Sequence, residues 1–201
     1  VKAAGASQIW VFDVPVNNAE RCFARSGIGE AARAAGATVL LPDSNDFRHV
    51  QVGGVTLRTA KVFYALLQAD RVINLPVAKH HGLTGATLAM KNWYGVLGGH
   101  RALLHQDIHR SVVDLAVMVK STLTVLDGTR LLMANGPSGG SLDDVKAGKV
   151  VAASSDEVAI DAFGATLLDR RPEQIAFIGL AEQKGLGTAD YRSLDPVEMG
   201  S

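Results

Sequence analysis

Cysteine is nearly missing from this chain of 201 residues, where Cys22 stands alone. A lone thiol excludes an intramolecular disulfide framework. It equally excludes a zinc site or an iron–sulfur cluster whose thiolates all come from this chain. Net charge is missing too, with twenty Lys and Arg against twenty Asp and Glu. Neutralising phosphates needs a basic surplus, so this balance speaks against a nucleic-acid partner. No run of eighteen apolar residues occurs, and a helical membrane span is therefore not expected. What remains is the composition of a folded globular protein, 47% hydrophobic and 20% charged, long enough to bury a core without staples. A single domain over residues 1–201 is expected. The opening residues Val1 to Ala6 read as the last turn of a helix closed by Gly5. A helix tail without a head predicts a chain cut at its N-terminus, which leaves the compartment undetermined.

Short apolar runs recur at Gln8 to Phe12, Thr38 to Leu41, Arg71 to Leu75, Leu123 to Leu126 and Val150 to Ala153. Runs rich in Val, Ile and Leu are what parallel strands buried on both faces look like. Helices are predicted between them: Glu30 to Ala35 closed by Gly36, Ile108 to Val119 with apolar residues at helical spacing, and a helix capped by Ser155 or Asp156 that runs to about Leu168. The alternation predicts an α/β fold, a mainly parallel sheet flanked by helices. Phe47 to Leu57, with Gly53-Gly54 in its middle, reads as an inserted hairpin. Pro76 to His109 reads as a long glycine-punctuated loop, the kind of segment that holds a site on a rigid scaffold.

Five of the six histidines, at 80, 81, 100, 105 and 109, fall in that segment together with Lys79, Lys91 and Arg101. The run opens where the strand from Arg71 ends at Pro76. In an open parallel sheet, ligands bind beyond the carboxyl ends of the strands. A helix predicted over Thr87 to Tyr94 would place Lys91 and Asn92 one turn after Thr87 and Leu88. Imidazole takes a proton or binds a metal, lysine stabilises an oxyanion or acts as a base, and asparagine orients through a donor and an acceptor. The assortment suits an anionic ligand or a small carbonyl compound. His105 and His109 at i, i+4 are either such groups or a solvated helix face. Gln106 stands where a zinc protease has its glutamate, so that motif fails.

These residues resemble the DUF362 family of prokaryotic proteins. Asp70 to Gly95 (DRVINLPVAKHHGLTGATLAMKNWYG) is similar to its signature, with Lys79 and His81 on its Lys-x-His, Thr84 and Thr87 on its threonines, and Lys91-Asn92 on its Lys-Asn. His105, Asp114, Asp127-Gly128, Gly136-Pro137 with Gly139, and Asp156, Ala159 and Asp161 fall on later positions of the same pattern. Some members carry a ferredoxin-like iron–sulfur module or an export signal. Neither stands in this sequence, so the resemblance implies no electron transfer. A looser pattern likeness, in the order His81, glycine-containing loop, Lys91 and a further histidine, is to nickel-dependent lactate racemase-type proteins. Leu-Ala-Met-Lys and Tyr-Gly replace the Gly-Gly-x-Lys and Pro-Gly of that group, so no attached cofactor is implied.

The loop Gly136-Pro137-Ser138-Gly139-Gly140 has the spacing of a hydrolase nucleophile elbow, but every histidine precedes Ser138, the reverse of that order. It reads instead as either an anion-binding glycine loop or a tight turn. Asp13 and Asp127 end predicted strands, where each either faces the crevice or caps a turn. Asp161 points inward and then needs a partner. Cys22 reads as a packed small residue, and Trp10 and Trp93 as packing residues, with Trp93 also a candidate pocket wall. The sequence thus predicts an enzyme, of isomerase or lyase type, that moves a proton on a small anionic organic substrate. Lys91, His81 and Lys79 are its candidate catalytic groups. Asn74, Asn92, Thr84, Gly136, Ser138 and Gly139 are its candidate substrate-binding groups, and His81, His105 and Asp127 the candidate ligands of an assisting divalent metal. The alternative is a non-catalytic binding or scaffold module in which the same residues form an internal hydrogen-bonded network. The oligomeric state is not readable.

Overall fold

The computed structural model describes residues 1–99 and 101–200, with Ala102, Leu103 and His105 described at the backbone alone. Their contacts divide them into two compact units: Val1–Gln51 with Thr59–Ala69 and Tyr94–Arg101, and Val52–Arg58 with Asp70–Trp93 and Ala102–Ser201. Among the described residues no helix is long and apolar enough to cross a membrane.

In the first unit, strand β1 (Trp10–Phe12) lies parallel to β2 (Thr38–Leu40), with Trp10 opposite Thr38. Parallel neighbours need a crossover, here helices α1 (Ala19–Ser26) and α2 (Ile28–Ala34). Asn18 starts α1 by accepting the Arg21 amide at 3.0 Å, and Gly36, at φ 82°, follows α2. The expected hairpin is present, but its second strand begins later than predicted. Strand β3 (Phe47–Gln51) pairs antiparallel with β4 (Thr59–Phe63), and Gly53-Gly54 lies in the turn between them. Helix α3 (Tyr64–Gln68) follows. Phe63 is the centre of an aromatic cluster, its ring 5.0 Å from Phe12, 5.7 Å from Phe47 and 5.1 Å from Tyr64. Cys22 sits in α1, partly exposed, beside the buried Phe23.

The second unit is built on a larger sheet: β5 (Ile73–Asn74), β6 (Val77–His81), β7 (Gly85–Thr87), β8 (Leu123–Leu132) and β9 (Val145–Ser154). The central strand β8 runs parallel to β5 and β6, while β7 and β9 join antiparallel. Helices α4 (Ala89–Asn92), α5 (Ile108–Met118), α6 (Glu157–Leu167) and α7 (Ala176–Gln183) complete the α/β architecture. The inner side of β8, Thr124 and Leu126, packs with α6, where Gly164 permits the approach. A Cβ there would lie 2.6 Å from Leu88 and 3.0 Å from Leu126. Leu88, Met90, Leu115, Leu126, Phe177 and Ile178 fill this core.

Three local expectations change. Pro76 interrupts the strand without ending it: Ile73, Asn74 and Val77 face Leu123, Thr124 and Asp127 in one continuous register, and the Asp127 amide reaches the Pro76 carbonyl at 2.8 Å. Proline lacks a donor, which a strand start tolerates. Lys79, His80 and His81 therefore lie on a strand and not in a loop. Thr87 belongs to β7, so the helix carrying Lys91 begins at Ala89 and not at Thr87. Val150 to Ala153 is part of a long antiparallel strand exposed on alternate residues, because it returns directly along β8, with Thr124 opposite Ser154. A direct return needs no crossover helix, and the face away from α6 stays open to solvent.

Candidate functional site

Alternation along β6 puts Lys79 and His81 on one face and His80 on the other. The turn after β6 folds back on His81, whose Nδ1 accepts the amides of Leu83 at 3.2 Å and Thr84 at 3.3 Å. A neutral imidazole that accepts at Nδ1 carries its proton at Nε2, so His81 presents an N–H donor. Thr84 is buried, and its hydroxyl donates to the Ala86 carbonyl at 2.8 Å. On the other face, His80 Nδ1 accepts the Gly136 amide at 3.1 Å, and the Gly82 amide donates to the Gly136 carbonyl, also at 3.1 Å. Glycine is required at 136, because a Cβ would stand 2.3 Å from the His80 carbonyl oxygen. The glycine loop is thereby fastened to the end of β6, with a cis Gly136-Pro137 peptide and with Ser138 and Gly139 exposed. Asp144 closes the loop, accepting the Ser141 amide at 2.8 Å and the Asn135 side chain at 3.1 Å. The Ser141 amide first, then Asn135, hold the Asp144 carboxyl below its ordinary range.

At the other end of the β5–β6 run, Asn74 is buried. Its amide nitrogen donates to the Ala89 carbonyl at 2.9 Å and to Glu157 Oε1 at 3.0 Å, while its oxygen accepts from Asn92 at 2.8 Å. Glu157 opens α6 just after the N-cap Asp156, which accepts the Val158 and Ala159 amides at 2.8 and 2.9 Å. The Glu157 carboxylate also takes the Trp93 indole N–H at 3.0 Å, the Ser121 hydroxyl at 2.9 Å and the Thr124 hydroxyl at 3.3 Å. Burial pushes this carboxyl up despite those donors. One turn along, the fully buried Asp161 accepts the Ala89 amide at 2.5 Å and the Met90 amide at 3.1 Å. Burial raises Asp161 well above the carboxylate range, outweighing the two amides, and the nearby Glu157 and Asp156 add to it. Between these grips sits Lys91, only 6% exposed; His81 is 5% exposed.

The structure thus joins Asn74 with Asn92, and His81 with Thr84, and brings Gly136 to β6 beside His80. Asn74 and Asn92 spend their side chains on each other and on α6, and Ser138 and Gly139 stand out on the loop. Asp127 ties back to Thr129, taking its amide at 2.8 Å and its hydroxyl at 2.7 Å, as a turn cap does. The side chain of His105, and the whole of His100, lie outside the described residues. Among the described residues no three His, Cys, Asp or Glu side chains gather closely enough to hold a metal ion. Local donors take His81 Nδ1 and Asp127 Oδ1. His109 stacks on Phe177 at 6.1 Å, and burial lowers its ring's basicity against the pull of Asp107. In the first unit, Arg101 donates to the Tyr94 carbonyl at 3.1 Å and the Pro15 carbonyl at 2.9 Å.

Two groups escaped the sequence reading. Glu157 is one; the signal was an acid directly after a capping Asp and before the apolar run Val158 to Ile160. The other is Lys184, which meets the buried Asp114, 1% exposed, at 3.1 Å from seventy residues away and without a local signal.

Residues 1–166 match the family described as "Domain of unknown function (DUF362)". The chain is also similar to a thylakoid-associated protein of Synechocystis sp., 30% identical over 152 residues that make up 72% of this chain and 43% of that protein. The chain therefore spans less than half the length of this relative. No solved structure matches.

Proposed function

The chain belongs to the DUF362 family, and on that premise we propose that it is an enzyme that binds a small organic anion and moves a proton on it. The observation that carries this reading is the burial of two basic side chains, His81 at the end of β6 and Lys91 in α4. Lysine is almost never so deeply buried without a partner or a task. In this reading the Lys91 amine takes a proton from the carbon beside a carboxylate or carbonyl. The charge left on oxygen is met by the His81 Nε2–H, with Lys79 on the same strand face adding positive charge. Gly136 and Thr84 serve by holding the loop and the turn at the end of β6, through His80 and the Ala86 carbonyl, and Ser138 and Gly139 are the exposed groups of that loop. Asn74 and Asn92 serve by orienting the turn of Lys91 and not by touching substrate. Return of the proton gives isomerisation, and loss of a β-substituent gives elimination.

The test is proton NMR of the full chain in deuterium oxide with lactate, malate and related 2-hydroxy and 2-oxo acids. Wild type should exchange the hydrogen beside the carboxylate. Lys91→Met should slow the exchange at least about a hundredfold and lose anion binding while keeping its circular dichroism. A Lys91→Met protein with undiminished exchange and binding would refute the reading.

A non-catalytic binding or scaffold module is the second reading, favoured by the internal bonding of Asn74, Asn92 and Glu157. It predicts anion binding without exchange in the wild type.

A further inference from the structure

We infer that Glu157 and Asp161 on α6 are positioning residues that hold the turn bearing Lys91, so that the direction and accessibility of the Lys91 amine are set from a helix more than sixty residues away. The inference rests on the proposed role of Lys91. Three observations lead to it. The α4 turn is four residues long and its N-cap, Leu88, has no capping side chain. So short a helix cannot hold itself, and its first orphan amides are those of Ala89 and Met90. Asp161 takes both. Glu157, one turn earlier on the same face of α6, takes the Trp93 indole at the far end of the turn and the Asn74 amide, whose oxygen in turn holds Asn92. Residues 89, 90, 92 and 93 are thus each fastened, directly or through Asn74, to one of two carboxylates. These bonds fix the backbone on both sides of Lys91. Simple packing would be served as well by apolar residues at 157 and 161. Sealing two acids in the core is costly unless their geometry is needed.

The test reads Lys91 itself and needs no substrate. The full chain is reductively methylated with 13C-formaldehyde, and the Lys91 signal is identified by its absence in Lys91→Arg. Wild type, Asp161→Asn, Glu157→Gln and Trp93→Phe are compared with Val158→Ala, a buried apolar truncation on the same helix that removes no bond to the turn. Labelling of Lys91 should become about tenfold faster in each of the first three variants and stay at the wild-type rate in Val158→Ala, even where the thermal midpoint falls as far. If Asp161→Asn does not fold, Trp93→Phe, which loses a single bond to Glu157, decides the matter. Unchanged labelling in the folded variants, or equal acceleration in Val158→Ala, would overturn the inference. Because activity is not read, a Lys91→Met protein that keeps its exchange sinks the proposed function and leaves this result standing.

Discussion

Asp114 shows at the scale of one residue how a buried charge is held. Its Oδ2 accepts the amides of Thr56 at 2.8 Å and Leu57 at 3.0 Å, and its Oδ1 faces the Lys184 ammonium. Burial works to raise this carboxyl, but the Leu57 and Thr56 amides and Lys184 outweigh it, and the group sits below its ordinary range. A depressed acid adds stability that is complete above its unfolded value and is lost as pH falls through the folded one. Asp114→Asn can keep an oxygen on the two amides while removing the charge. It should cost about 1–2 kcal/mol in denaturant unfolding near neutral pH, and the gap to wild type should close as pH falls below about 4. A gap that persists in acid would mean that the charge was not the source. The Asp156 cap could be read from its neighbours, because a cap is satisfied within three residues. The partner of Asp114 could not, because Lys184 is brought to it by the fold.

Among elements, the end of β6 depends on the loop after β8. Gly136 lies where its amide reaches His80 Nδ1 and where any side chain would strike the His80 carbonyl. Gly136→Ala should therefore push the loop away from β6 and cost about 2 kcal/mol in thermal unfolding, with the His80 ring nitrogens shifting in 15N NMR spectra. Unmoved His80 resonances would show that the loop is not fastened there. The glycine-rich composition marked the loop as a turn, and its spacing suggested an anion site, but its attachment to His80 spans 56 residues. The same limit explains β6 itself. Pro76 looked like the end of a strand because proline lacks a donor, and the pairing that carries the strand past it comes from β8. The hairpin at 47–57 was visible in Gly53-Gly54, while the start of its second strand at Thr59 was set by pairing with Gln51.

For the whole molecule, metal dependence turns on the candidate set His81, His105 and Asp127. His81 and Asp127 both stand near predicted strand ends. In the fold, His81 Nδ1 and Asp127 Oδ1 each accept from donors two or three residues away. Calorimetry after dialysis against EDTA, with and without an added divalent ion, tests that set: a thermal midpoint or anion binding that falls and is restored by the ion bears it out, and values that stay unchanged refute it. Membership of the DUF362 family and the α/β class could be read in the sequence, as could the positions of α2, α5 and α6, since apolar spacing, caps and glycine stops act over a few residues. Tertiary structure alone decided that Val145–Ser154 returns antiparallel along β8, that Asn74 is bonded to Asn92, and that Glu157 and Asp161 grip the turn of Lys91. The physical reason is distance along the chain. The bond from Asn74 to Glu157 joins groups 83 residues apart, and no local pattern encodes which buried donor will meet which acceptor until the core has brought them together.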